Sequence, residues 1–153
     1  MSHSIASDRA LSATAAATLQ ALVGAIIPAS AAHAVPGADD EQIFADLIRS
    51  AGDSLAYVGE AMRELDAAAG PDGFVAQGSE RRLALAEQFR AGNPAAAGFI
   101  VSLVCQCYYR DPRVLASLGM APRPPFPDGY QTPDGDWSLL DPVRARAPFY
   151  RKV

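Results

Sequence analysis

Histidine and cysteine are nearly missing from this chain. Of 153 residues, two are histidine (His3 and His33) and two are cysteine (Cys105 and Cys107). Metal centres need such side chains, or carboxylates, at short regular spacings, and no such spacing occurs. The Glu-x-x-His pairs with which helical bundles hold di-metal sites are absent as well. Cys105 and Cys107 lie two apart in "VSLVCQCYYR". On a helix their side chains diverge, so they are expected to be two core or interface thiols rather than a pair. Lysine occurs once, at Lys152, beside twelve arginines. There is no basic run, and a net charge of −4 with a pI near 5.0 argues against a nucleic-acid partner. The patterns G-x-S-x-G, G-x-G-x-x-G and the phosphate loop are all lacking. Nothing here builds a flavin, nicotinamide or nucleotide site, and this chain is expected to hold no cofactor of its own. The apolar run "AAAGFIVSLVC" is too short to span a bilayer, so no direct membrane insertion is expected.

What remains offers few candidates for chemistry. Glu60 and Glu64 stand one turn apart in "GEAMRELD" and form a carboxylate pair on paper. With Arg63 between them they read better as a solvated helix face. His33 has neither an orienting partner nor a nucleophile beside it in the sequence, so it reads as a loop histidine. The segment "ALSATAAATLQALVGAIIPASAAHA" imitates a secretory leader, with an A-x-A-like end. Its basic start is poor, however, and Thr14, Thr18 and Gln20 interrupt it. Leu11, Ala15, Leu19, Leu22 and Ile26 instead fall on one helical stripe. The segment is therefore expected to be a core helix of a cytoplasmic protein, the alternative being periplasmic by export with a partner.

Half the residues are apolar and a fifth charged, which fits one globular domain. Apolar periodicity and cap signals divide the chain into helices. The first covers 11–27 and is ended by Pro28. After the Pro36-Gly37 turn, Asp39 or Asp40 caps a second, with Ile43, Phe44, Leu47, Ile48 and Ala51 inward. Gly52 stops it, and Asp53 caps a third to about Ala69, carrying Leu55, Val58, Met62, Leu65 and Ala69. The turn "GPDG" follows. Ser79 caps a fourth through Arg90, with Leu83, Ala86 and Phe89 inward. Asn93-Pro94 opens the fifth, 94–109, and Asp111-Pro112 a short sixth that Gly119 ends. The predicted class is all-α, a compact bundle of about six helices over 1–119, with no strand alternation and hence no dinucleotide-binding unit.

Residues 120–153 are different. The stretch from Pro122 onward holds seven of the twelve prolines and five of the twelve aromatic residues, and no periodic apolar face. It reads as an extended arm with at most a helical turn near "SLLDPVRA". Proline lowers the entropy such an arm loses on docking, and aromatics supply contact area with few rotors. The expected partner-binding residues are Phe126, Tyr130, Trp137, Phe149 and Tyr150, with Trp137 central. Arg144 and Arg146 are suited to bidentate pairing with partner carboxylates.

Three stretches, taken in order, resemble the gluconate 2-dehydrogenase subunit 3 family. "LQALVGAIIPASAAHAVPGADDEQIFADLI" is similar to that family's opening, where a first helix ends in Ile-Ile-Pro and runs to a Pro-Gly-Ala turn. "YYRDPRVLASLG" resembles its later short helix. "GDWSLLDPVRARAPFYRKV" resembles the C-terminal arm of its small subunits. The resemblance implies a non-catalytic small subunit beside a large glucose-methanol-choline-type flavoprotein. That partner would hold FAD and oxidise a sugar, sugar acid, glycoside or alcohol. Many family members carry a twin-arginine signal and some add a c-type cytochrome. This chain lacks that signal, which favours a soluble two-subunit enzyme, with a higher-order heteromer as a variant. The competing expectation, from a different class, is a stand-alone helical scaffold with no oxidoreductase partner.

Overall fold

The computed structural model describes residues 11–124, 126–127, 129 and 134–147. It divides the chain into two compact units, Met1–Pro122 and Arg123–Val153.

The first unit is a bundle of six helices among its described residues: α1 (Ala13–Ile26), α2 (Glu41–Ala51), α3 (Leu55–Ala68), α4 (Ser79–Gly92), α5 (Pro94–Tyr108) and α6 (Pro112–Ser117). No strand occurs among the described residues, only an isolated bridge between Ser30 and Val35 in the α1–α2 loop. Local chemistry starts most of these helices. The Ser12 hydroxyl accepts from Ala15 N at 3.2 Å, and Asp40 accepts from Gln42 N and Ile43 N. Asn93 caps α5 through Ala96 N, and Asp111 caps α6 through Arg113 N, each with proline at the first turn. Helices α2 and α6 end at Gly52 (φ +49°) and Gly119 (φ +72°).

The core is one cluster in which Leu19, Val23, Ile43, Leu47, Val58, Met62, Leu65, Ile100 and Val104 are buried. The inward faces expected for α1, α2 and α3 are largely those observed, with Phe44, Ile48, Leu55 and Ala69 at its margin. For α4, Ala86 and Phe89 pack against the cluster as expected, and the expectation is corrected at Leu83. Leu83 is 59 % exposed, and Leu85 is the buried residue at 1 %. Two further differences concern caps. Ser79 is the first residue of α4, its cap being Gly78 without a side-chain bond. Asp53 lies inside a 3-10 turn, Gly52–Ser54, that leads into α3, and Ser54 occupies the cap position.

Polar side chains fasten the elements to one another. Asp66 on α3 accepts from the buried Thr18 hydroxyl of α1 at 3.0 Å and from Phe74 N at 2.8 Å. This holds the α3–α4 turn so that Phe74 is fully buried. Tyr108 of α5 donates to Pro36 O at 3.1 Å, and burial pushes its hydroxyl pKa up. Arg113 pairs with both Asp40 and Asp111, while Arg110 pairs with Asp46 and donates to Ser50. In the α1–α2 loop Gly37 is buried, and a Cβ there would collide with Asp39 Oδ1 and lie 2.9 Å from the Ala29 backbone nitrogen. That crowding explains the glycine in the Pro-Gly-Ala turn.

Candidate partner-binding surface

The second unit contains two short ordered pieces among its described residues. In the first, the Arg123 guanidinium donates to Gly129 O at 2.7 Å across a tight turn, where Gly129 has φ +67°. Phe126 stands in this turn with 85 % of its surface exposed. The second piece is a 3-10 turn, Trp137–Leu140, running directly into a one-turn helix, α7 (Asp141–Arg144).

The sequence accounts for this second piece. Asp136 accepts from Ser138 N at 3.0 Å and from the Ser138 hydroxyl at 2.6 Å, capping the 3-10 turn. These two bonds hold its carboxyl below the usual carboxylate range. Pro142 occupies the first turn of α7, where its missing N–H costs nothing. Asp141 closes α7 by pairing with Arg144 at 3.2 Å.

The outcome is a preformed segment with its apolar side chains outward. Trp137 is 69 % exposed, Leu139 74 %, Val143 56 % and Leu140 41 %. Trp137, Leu140 and Val143 recur every third residue, which places them along one side of a 3-10 or α turn. The structure thus gathers Trp137 and Arg144, two of the expected contact residues, into one short element. Phe126 belongs to the separate turn, and Arg146 lies exposed in the bend after α7. Tyr130, Phe149 and Tyr150 fall outside the described residues. Leu139, Leu140 and Val143 were not among the expected contacts. Their signal was present as the aliphatics of "WSLLDPV", beside the more conspicuous aromatics.

A second exposed apolar feature belongs to the bundle. Helices α1, α4 and α5 border a cleft of about 170 Å³, lined by Leu22, Ile26, Phe89 and Ile100 and edged by Leu83 and Val101.

Both glutamates weighed for chemistry are paired within the bundle. Glu60 pairs with Arg63 in the same helix. Glu64 accepts from the Asn93 side chain at 3.1 Å, linking α3 to the start of α5. His33 is an exposed loop residue. Cys107 is buried and Cys105 half-buried, both as free thiols. Among the described residues no group of three or more His, Cys, Asp and Glu side chains is placed to hold a metal ion. No helix of the described residues is long and apolar enough to cross a membrane.

Comparison with family models, with curated proteins and with solved structures returns no match to this chain.

Proposed function

We propose that this chain is a non-catalytic small subunit of a heteromeric FAD-dependent dehydrogenase acting on a sugar, sugar acid, glycoside or alcohol. In this reading it stabilises the large flavoprotein, and the complex works in the cytoplasm. The observation that carries the binding role is the exposed row Trp137, Leu139, Leu140 and Val143 on an ordered turn. A preformed element with four adjacent large apolar side chains in water gains most when something covers it. The kind of partner rests on the three stretches that resemble the subunit 3 family.

The division of labour follows from where chemistry is and is not available. FAD and the reacting groups belong to the partner. The bundle supplies a rigid base held by its own caps and core. The arm supplies contact area, with proline limiting the entropy lost when it lies down on a surface. A subunit that binds the folded flavoprotein and not its unfolded chain stabilises it by mass action.

This reading expects a large flavoprotein encoded beside this chain, recognisable by G-x-G-x-x-G near its N-terminus, and the test is co-expression with it. The expected result is a yellow, active complex, and far less soluble flavoprotein when this chain is omitted. Equal yield of soluble, active flavoprotein without it overturns the stabilising role. Stoichiometric flavin on the isolated 153-residue chain overturns the non-catalytic assignment.

A further inference from the structure

We propose that the α1–α4–α5 face of the bundle receives a second copy of this chain across a two-fold axis. Val101 of each copy enters the apolar cleft of the other, and Glu87 of each pairs with Arg90 of the other. The inference rests on the bundle alone and is independent of the reading of the arm and of the flavoprotein.

The distribution of charge sets this face apart. No Asp, Glu, Lys or Arg occurs from Ala10 to Ala38 or from Ala91 to Tyr109, so α1 and α5 carry no charge along their whole length. A helix without a charged side is normally buried all round. Yet Gly98, Val101, Ser102 and Gln106 of α5 are exposed, as is Ala25 of α1. Protein surfaces ordinarily intersperse charges of both signs, and charge is depleted at the centres of interfaces. The cleft lined by Leu22, Ile26, Phe89 and Ile100 opens on this face.

Size and charge select the occupant. The cleft of about 170 Å³ is close to the roughly 150 Å³ that holds one benzene-sized group. It takes a single apolar side chain rather than an acyl chain or a peptide segment. Val101, 41 % exposed at the rim, is such a side chain and is presented by a helix of the same face. Among the described residues, the charged groups lining the cleft are one acid and one base, Glu87 and Arg90 of α4. They lie about one turn apart, so an antiparallel pairing of α4 with its copy sets each acid opposite the other copy's base. The rim is thus complementary to itself, whereas a rim of either single sign would set like charges face to face at one position. In the single chain, Arg90 donates to Glu87 through Nε at 3.1 Å and Nη2 at 2.8 Å. The two side chains are 70 % and 59 % exposed. So exposed a pair contributes little, and exchanging it for two pairs between copies costs little.

The test follows the full 153-residue chain by sedimentation velocity from about 2 to about 200 μM, where contacts of modest area associate. The expected result is a monomer that becomes a dimer over that range. Glu87→Arg and Arg90→Glu each set like charges opposite one another across the axis, and each should weaken the dimer by roughly tenfold or more. An equimolar mixture of these two variants should dimerise again, because each supplies the sign the other lacks. The double exchange Glu87→Arg/Arg90→Glu in one chain should associate as the unaltered chain does. Val101→Asp should fail to associate. Circular dichroism of every variant should match the unaltered chain, since all three positions are exposed. A chain that stays monomeric at every concentration overturns the proposal, and so does a dimer that survives both single reversals. Loss of the dimer that neither the mixture nor the double exchange restores overturns the two-fold pairing. Single reversals that release the flavoprotein from a complex, while the isolated chain remains monomeric, assign the cleft to that subunit and overturn the proposal equally.

Discussion

Arg113 joins the beginnings of two helices through one guanidinium. Its Nη2 reaches Asp40, the cap of α2, at 2.6 Å and Asp111, the buried cap of α6, at 3.0 Å. The guanidinium holds both carboxyls below the usual carboxylate range, and Arg110 does the same to Asp46. A carboxylate whose folded pKa lies below its unfolded value stabilises the fold at pH values above the unfolded one, about 3.9 for Asp. That contribution disappears as pH falls through the folded value. Stability should therefore be complete in these terms above about pH 5 and fall below about pH 4. Arg113 is 42 % exposed, so solvent screening limits its effect. Arg113→Ala should cost about 1 kcal/mol, or a melting temperature lower by about 2–4 °C. It should also flatten the acid-side slope of urea midpoints taken from pH 3 to 6. An unchanged slope would mean the two caps are not coupled through Arg113. Phe74 gives a larger residue-scale effect. It is fully buried in the α3–α4 turn, and Phe74→Ala should cost about 3–5 kcal/mol by denaturant titration. Neither Phe74 nor its anchor Asp66 was legible in the sequence. Phe74 sits in an aperiodic stretch after "GPDG", where no helical stripe marks it as inward. Asp66 reads as one more surface carboxylate until the fold brings Thr18 and the Phe74 amide to it.

Helices were legible where their determinants are local. Asn93-Pro94 and Asp111-Pro112 announce α5 and α6 because cap and proline act within one turn, and both caps are made as expected. Helix α4 was legible as a helix but not in its rotation. "LALAEQF" offers Leu83 and Leu85 with equal hydrophobicity, and packing by α1, α3 and α5 decides between them. Leu85 wins with 1 % exposure, while Leu83 stays at the edge of the cleft. Leu85→Ala should then cost about 2–5 kcal/mol, and Leu83→Ser should change stability by no more than about 0.5 kcal/mol. Comparable losses from the two would contradict this rotation of α4. In the arm, the brief helical turn near "SLLDPVRA" lies where the Asp136 cap and Pro142 put it. The exposure of Leu139, Leu140 and Val143 there was not legible in the sequence, because the turn geometry alone turns these aliphatics outward.

At the scale of the whole molecule, the chain joins a helical bundle to a second unit whose described residues include exposed apolar side chains. Among the described residues, the bundle's buried cluster is drawn from residues 11 to 114. Its caps and ion-pair links also lie within the first unit. Hence the bundle should fold without the arm, and the arm should matter only when a partner is present. Exposed Trp137 is the strongest candidate for the centre of that contact. A buried interface tryptophan replaced by alanine typically costs about 2–4 kcal/mol, a complex weaker by roughly thirtyfold to a thousandfold. The same logic at larger size gives the most direct test of the central claim. The chain truncated after Gly119 is co-expressed with the proposed flavoprotein partner, and its circular dichroism is recorded beside its ability to co-purify a yellow subunit. The account predicts a helical, cooperatively melting bundle that brings down no flavoprotein. A truncated chain that unfolds, or one that still purifies as a yellow complex, would contradict it.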